Sequence, residues 1–219
     1  NNSRGFLRYS YDGIFANTGE YCTSIVDPSR WEMMKEMLGI EVKPWKEGHN
    51  GHILICCQRH GGWSMQGQDV FSWLEKVTRE IRLISANPIV VRFHPGDKLA
   101  PTYPQRIKHL ASQKVYASTN RTIFQDLENA CCMIGHNSSP GIIAAIEGVP
   151  VFLTDAGRSQ AMEVAHHSFN SLLEPQQFDR EPWLQKLAMC HWTLEESKQG
   201  LIWTHMRKWA DKNNIPAPI

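Results

Sequence analysis

Five short, mostly apolar segments recur along the chain, at residues 53–57, 88–93, 114–117, 131–134 and 149–153. Each is too short for a stable helix and is typical of a buried strand. Segments with helical periodicity lie between most of them. Parallel strands need long crossover connections, which helices usually supply. The alternation therefore predicts an α/β fold, in which helices flank a parallel sheet.

Capping residues mark the start and end of the predicted helices. Asp27 and Pro28 suit the first turn of the N-terminal helix, and Gly39 suits its end. Four further helices are expected between the strands, at residues 68–85, 105–112, 121–129 and 140–147.

Tryptophan-rich helices are expected after the last of these strands. One runs to about residue 192, and Thr193 with Glu196 forms a capping box for another that continues through Trp209. The sequence thus predicts an N-terminal extension or linker with one helix at residues 1–50. It predicts a single sheet domain, which includes the C-terminal helices, at residues 51–219.

Composition excludes several classes of protein. The 219 residues carry a formal net charge of +1, which gives no general attraction to nucleic acid. No apolar run is long enough to cross a membrane. Four of the six cysteines form adjacent pairs within predicted strands, where neighbours point to opposite faces and cannot jointly hold one metal ion. We expect free, buried thiols in a reducing compartment, and hence a cytoplasmic protein without a metal site.

Polar turns follow all five predicted strands. Glycines, hydroxyls, carboxamides, imidazoles and basic groups are concentrated there, including Gln58 to Gly62, His94 to Lys98, Thr119 and His136 to Ser139. Ligands of open α/β sheets bind outside the carboxyl ends of the strands. Any one of these turns is explained as well by a structural role, but five at the same edge indicate a binding site.

The turn before the 140–147 helix has the clearest anion-binding chemistry. Ser139 can cap this helix, and Pro140 suits its first position, where no N–H group is needed. The free N–H groups of a helix N-terminus attract phosphate. The plainer interpretation is that Ser138 and Ser139 only cap the helix.

Two motifs resemble the C-terminal, nucleotide-sugar-binding half of GT-B glycosyltransferases. They are the Arg-Phe-His-Pro-Gly-Asp turn at residues 92–97 and His-Asn-Ser-Ser at 136–139, followed by Glu-Gly-Val-Pro-Val at 147–151. The likeness spans roughly residues 53–160. It is greatest to the group with capsule polysaccharide and Kdo-type transferases and CDP-glycerol glycerophosphotransferases. The resemblance implies a Rossmann-like GT-B half-domain.

The resemblance also implies roles for individual residues. His94 and His60 are the candidate catalytic residues. Candidate contacts to the donor and its phosphates are Gln58, Arg59, Gly61, Gly62, Arg92, Lys98, Thr119, His136, Asn137, Ser138, Ser139 and Glu147. Arginine, lysine and N–H groups would stabilise the leaving phosphate, so neither a metal ion nor a cofactor beyond the nucleotide-sugar donor is expected.

The implied function is transfer of a sugar from a nucleotide-activated donor to a hydroxyl acceptor. That acceptor would be a polysaccharide or, in a viral protein, a modified DNA base, although the charge gives no support to nucleic acid. A GT-B enzyme has two Rossmann-like domains, so a second domain or chain would complete the cleft. Two alternatives stay open: a non-catalytic nucleotide-sugar-binding or scaffold module, and a nucleotide-sugar epimerase, which shares similar turns.

Overall fold

The computed structural model describes residues 5–216. Its strands are β1 Phe6–Arg8, β2 His52–Cys56, β3 Ile89–Arg92, β4 Val115–Ala117, β5 Ala130–Gly135, β6 Val151–Leu153, β7 Ala165–His166 and β8 His191–Thr193. Its α-helices are α1 Pro28–Leu38, α2 Val70–Arg82, α3 Tyr103–Arg106, α4 Ile123–Glu128, α5 Pro140–Ile146, α6 Glu181–Met189, α7 Leu194–Lys198 and α8 Leu201–Lys212. Short 3₁₀ turns lie between several of them. No helix among the described residues is long and apolar enough to cross a membrane.

The chain forms two compact units. One comprises the described residues up to Glu41 together with those from Asp179, and the other is Val42–Phe178. This division differs from the predicted boundary at residue 50, because the N-terminal segment pairs with the C-terminal one. The antiparallel partner of β1 is β8, with Leu7 opposite Trp192.

The unit Val42–Phe178 contains a six-stranded parallel sheet in the order β4-β3-β2-β5-β6-β7. The predicted Rossmann-like α/β class is confirmed, since the strand order reverses between the adjacent strands β2 and β5. The five predicted strands appear close to their expected positions. The sixth, β7, was not predicted, because a strand of two residues, Ala165 and His166, has no apolar run to mark it.

Helix α2 covers one face of this sheet. Asp69 caps it, and its Oδ1 accepts hydrogen bonds from the backbone N–H groups of Phe71 at 3.1 Å and Ser72 at 2.8 Å. Leu74 is 1% exposed and shares the core with residues of β2 and β5, including Ile55. Full burial of such a side chain contributes about 1.5–3 kcal/mol. The cap and the apolar face together fix where α2 begins beside the strand ends.

In the other unit, Arg30 joins α1 to the segment that follows α6. Its guanidinium pairs with Glu196 and lies 3.7 Å from the centre of the Trp192 ring. The capping box of Thr193 is present. The single long helix predicted beyond it is wrong: Gly200 adopts a left-handed φ of 73°, and the chain forms α7 and α8 instead.

Candidate ligand-binding site

Three polar side chains connect the turns where the strand order reverses. Gln58 follows β2, and its Nε2 donates to Oδ1 of Asn137, which follows β5. Asn137 Nδ2 in turn donates to Asp155 Oδ2 at 2.7 Å and to the Ser64 carbonyl at 3.2 Å. Ligands of open α/β sheets bind at such a reversal. Gln58 and Asn137, both predicted from the sequence, therefore lie together where a ligand is expected.

Asp155 forms the charged centre of this group. Its Oδ2 lies 3.7 Å from His136 Nε2 and 3.7 Å from an Nη of Arg158. Arg158 brings a guanidinium to the ends of β5 and β6. A carboxylate, a carboxamide, an imidazole and a guanidinium thus surround the same point, and they offer both donors and acceptors to a polar ligand.

His136 is the most buried imidazole of the group, with 7% of the residue exposed. Its Nδ1 lies 2.8 Å from Thr154 Oγ1. Burial lowers the pKa of His136 below its ordinary value, and Arg158 acts in the same direction, whereas Asp155 opposes them. The ring is therefore neutral at pH 7.

Asp97 connects the turn after β3 to the turn after β2. It is 8% exposed and accepts hydrogen bonds, each 3.0 Å long, from the N–H groups of His60 and Leu99 and from the Tyr103 hydroxyl. Burial by itself would raise the pKa of Asp97, but these donors together hold it below the ordinary value. The two turns are thereby fixed to each other.

His94 lies in the turn after β3, and its Nδ1 accepts a 3.0 Å hydrogen bond from the N–H group of Gly96. Burial lowers the pKa of His94, and the nearby Arg59 lowers it further. A neutral ring whose Nδ1 accepts from a backbone N–H carries its proton on Nε2. In this state His94 is a hydrogen-bond donor at Nε2.

The turn after β2 is exposed beyond Gln58. Arg59 and His60 are exposed, and His60 Nδ1 lies 3.4 Å from Asp69 Oδ2. Gly61 has a left-handed φ of 67°. A Cβ on Gly62 would lie 2.9 Å from the Arg59 carbonyl oxygen, so the turn itself requires this glycine.

Several predicted residues lie apart from this group. Arg92 donates to the fully buried Asp126 at 2.8 Å and to the Arg121 carbonyl at 2.7 Å, and it thereby joins β3 to α4. Glu147 follows α5 at the opposite end of that helix from His136 and pairs with Lys43. Lys98 and Thr119 are exposed. Within residues 5–216, neither side chain forms a hydrogen bond with Asn137.

The turn before α5 differs from the prediction. Ser139 makes no side-chain cap, because its backbone is already helical, with φ −59° and ψ −22°. The N–H of Gly141 bonds to the Ser138 carbonyl at 3.1 Å, and that of Ile142 to the Ser139 carbonyl at 2.9 Å. These N–H groups, predicted to be free for phosphate, are engaged within the turn. The Ser138 hydroxyl oxygen, by contrast, is buried and has no hydrogen-bond partner among the described residues.

A cleft of about 730 Å³ adjoins this group along α2. His136 and Thr154 line it near the strand ends, and Trp73 and Phe169 contribute aromatic surface. Within residues 5–216, no three His, Cys, Asp or Glu side chains come close enough together to hold a metal ion. The cleft thus offers both an apolar wall and hydrogen-bonding groups beside the strand ends.

Sequence reasoning did not assign a site role to Asp97, Thr154, Asp155 or Arg158. Their position in the chain could have indicated a role for three of them, since Thr154, Asp155 and Arg158 lie in the turn after β6, the neighbour of β5. Asp97 ends the histidine-proline motif, and the sequence gives no sign of its three hydrogen-bond donors.

The fold can be compared with known proteins. Neither a protein-family model nor a curated protein matches the sequence. Among solved structures, Thermosulfurimonas dismutans KpsC, beta Kdo 2,7 transferase, matches with a TM-score of 0.53 and 13% identity, over 91% of this chain and 72% of that chain. KpsC, beta Kdo 2,4 transferase, from the same organism matches with a TM-score of 0.53 and 12% identity, over 90% and 73%.

The chain has the fold of the KpsC transferases. The resemblance to GT-B transferases seen in the two motifs is therefore confirmed for the architecture. At this identity the KpsC comparison shows the fold alone and assigns no role to any individual residue.

Proposed function

We propose that this chain binds a nucleotide-activated sugar and contributes to transfer of that sugar to a hydroxyl acceptor. The observation that carries the proposal is the hydrogen-bonded group of Gln58, Asn137 and Asp155 at the reversal of strand order. The same position is the ligand site of open α/β sheets in general. The shared fold with two Kdo transferases supports the reaction class.

The chemistry of the site suits a departing nucleotide. Sugar transfer breaks the bond between the anomeric carbon and a phosphate oxygen, so negative charge develops on that phosphate. Arg158, Arg59 and the Nε2 proton of His94 are the groups proposed to stabilise it, since donors and cations fixed before reaction act most strongly where charge develops. The proposal needs no cofactor besides the donor. The acceptor is proposed to be a polysaccharide or another hydroxyl compound, with a second domain or chain completing the cleft.

A thermal-shift screen with nucleoside diphosphates and nucleotide sugars tests the donor site. A ligand at 100 times its Kd stabilises the protein by about 2.7 kcal/mol. For a chain of this length this corresponds to a rise in Tm of about 5–11 °C. We expect Gln58→Ala to abolish the rise, while Gln105→Ala, an exposed glutamine on α3, retains it. The absence of any shift at millimolar nucleotide would refute the proposal.

A specific observation favours a second candidate, a nucleotide-sugar-binding module without its own catalytic base. His94 Nδ1 accepts a backbone hydrogen bond, and the neutral ring is thereby a donor at Nε2 instead of a base. Nucleotide binding without turnover of any hydroxyl acceptor would support the module. Turnover that is lost in His60→Ala would support a complete transferase.

A further inference from the structure

A line of three side chains runs from α2 to the turn after β5. Trp73 Nε1 lies 2.9 Å from Thr154 Oγ1, and the same oxygen lies 2.8 Å from His136 Nδ1. The Trp73 and His136 rings meet edge to face, with centroids 6.0 Å apart and planes at 68°. Trp73 is 6% exposed and His136 7%, so both rings are mostly buried.

Donor and acceptor counting fixes the proton positions along this line. An indole nitrogen only donates, so Thr154 Oγ1 must accept from Trp73. The Thr154 hydroxyl has a single hydrogen of its own, and among the described residues His136 Nδ1 is the acceptor within reach. If Nδ1 carried the proton, both rings would donate to Thr154, and the hydroxyl hydrogen would lack a described acceptor. When Nδ1 accepts, the indole N–H and the Thr154 hydroxyl hydrogen both have a partner.

The surroundings of the other ring nitrogen favour the same arrangement. His136 Nε2 faces the Asp155 carboxylate across 3.7 Å, which favours a proton on Nε2 over a lone pair. An Nη of Arg158 also lies 3.7 Å from that oxygen. The separation of Nε2 from Asp155 exceeds a hydrogen bond, so the Nε2 proton is available to another acceptor.

We propose that Thr154 is a positioning residue that holds His136 in the Nε2–H tautomer, so that His136 donates a hydrogen bond to an oxygen of the bound ligand and does not act as a general base. The identity of that oxygen rests on the proposed function, in which it belongs to the diphosphate or the sugar of the donor. The tautomer itself rests only on the geometry of Trp73, Thr154 and His136.

Nitrogen-15 NMR of the histidine rings tests the tautomer directly, because protonated and unprotonated ring nitrogens have well-separated chemical shifts. We expect His136 of the unmodified protein to show a protonated Nε2 and an unprotonated Nδ1. Thr154→Val removes the hydroxyl at nearly constant volume, and we expect it to give a mixture of tautomers. Thr154→Ser retains the hydroxyl and should restore the original spectrum. Thr204→Val, which removes a hydroxyl from the other unit, is the matched control.

The binding readout separates this inference from the proposed function. If a nucleoside diphosphate binds, we expect Thr154→Val to raise its Kd about tenfold, because a hydrogen bond to a charged group is lost. Thr154→Ser should restore the original Kd. A protonated Nδ1 in the unmodified protein would overturn the inference, even if Thr154→Val fails to fold. An unchanged tautomer in Thr154→Val would also overturn it. A protonated Nε2 that depends on Thr154, without binding of any nucleotide, would sustain the tautomer and refute only the proposed function.

Discussion

Asp97 provides the sharpest test of how the candidate site is held together. Its two carboxylate oxygens accept from three donors: Oδ1 from the Leu99 N–H, and Oδ2 from the His60 N–H and the Tyr103 hydroxyl. Asp97→Asn replaces one oxygen with an NH₂ group, which then faces at least one of these donors. The substitution therefore loses at least one charge-assisted hydrogen bond and weakens the others, at a cost of about 2 kcal/mol.

Urea unfolding measures this cost. We expect Asp97→Asn to lower the unfolding midpoint at an unchanged m-value and to lower Tm by about 4–8 °C. Tyr103→Phe, the matched control, removes a single donor and should cost about 1 kcal/mol. The double variant should be less destabilised than the sum of the two, because both changes remove the same contact. If Asp97→Asn cost less than Tyr103→Phe, the argument that Asp97 fixes both turns would be refuted.

The contribution of Asp97 to the free energy of unfolding should depend on pH. The donors hold the pKa of Asp97 below its ordinary value, so its ionised form stabilises the folded state. This contribution is present above the unfolded pKa of about 3.9 and is lost as the pH falls through the lower, folded pKa. The difference in unfolding free energy between the unmodified protein and Asp97→Asn should thus shrink below about pH 4. A constant difference from pH 7 to pH 2.5 would contradict the assignment.

Two further predictions concern the backbone of the site and the cysteines. Gly62→Ala should destabilise the protein by about 1 kcal/mol or more and weaken nucleotide binding, because its Cβ would lie 2.9 Å from the Arg59 carbonyl oxygen. Tm measures the first effect and the Kd of the nucleotide the second. An unchanged Tm would show that the turn accommodates the Cβ without strain. A hydrogen bond from Cys132 lowers the pKa of Cys131 to about 7 although burial opposes it, whereas burial raises the pKa of Cys56 to about 12. Mass spectrometry after brief iodoacetamide treatment at pH 7.5 should find Cys131 alkylated first, and equal labelling of both thiols would refute this.

The strands of the sheet could be predicted well because the sequence signals for a buried strand are local. A continuous apolar run such as residues 131–134 identifies a buried strand without knowledge of its neighbours, and β5 lies there. Caps are equally local, and Asp27 and Thr193 act as predicted. Gly200 shows the limit of periodicity, since the apolar pattern continues through a position where the backbone turns left-handed and the helix breaks.

The site was less predictable because its contacts join distant parts of the chain. The polar turns correctly marked the edge of the sheet, but Gln58 and Asn137 are 79 residues apart and their bond depends on the adjacency of β2 and β5. Arg92, by contrast, lies where a phosphate contact was predicted but is held by another residue. It ends a strand beside a predicted phosphate turn, yet the buried Asp126 of α4 holds its guanidinium. A motif identifies the residue types at a strand end and leaves the direction of each side chain undetermined.

The pairing of β1 with β8 has a consequence for how the protein is made. All the strands of the parallel sheet lie between residues 52 and 166, so they emerge from the ribosome before His191–Thr193 does. Phe6–Arg8 must wait for that late segment, nearly the full length of the chain away. Domains generally fold as units during synthesis. We therefore expect a ribosome-bound chain to form its sheet while its first strand is still unpaired and open to chaperones.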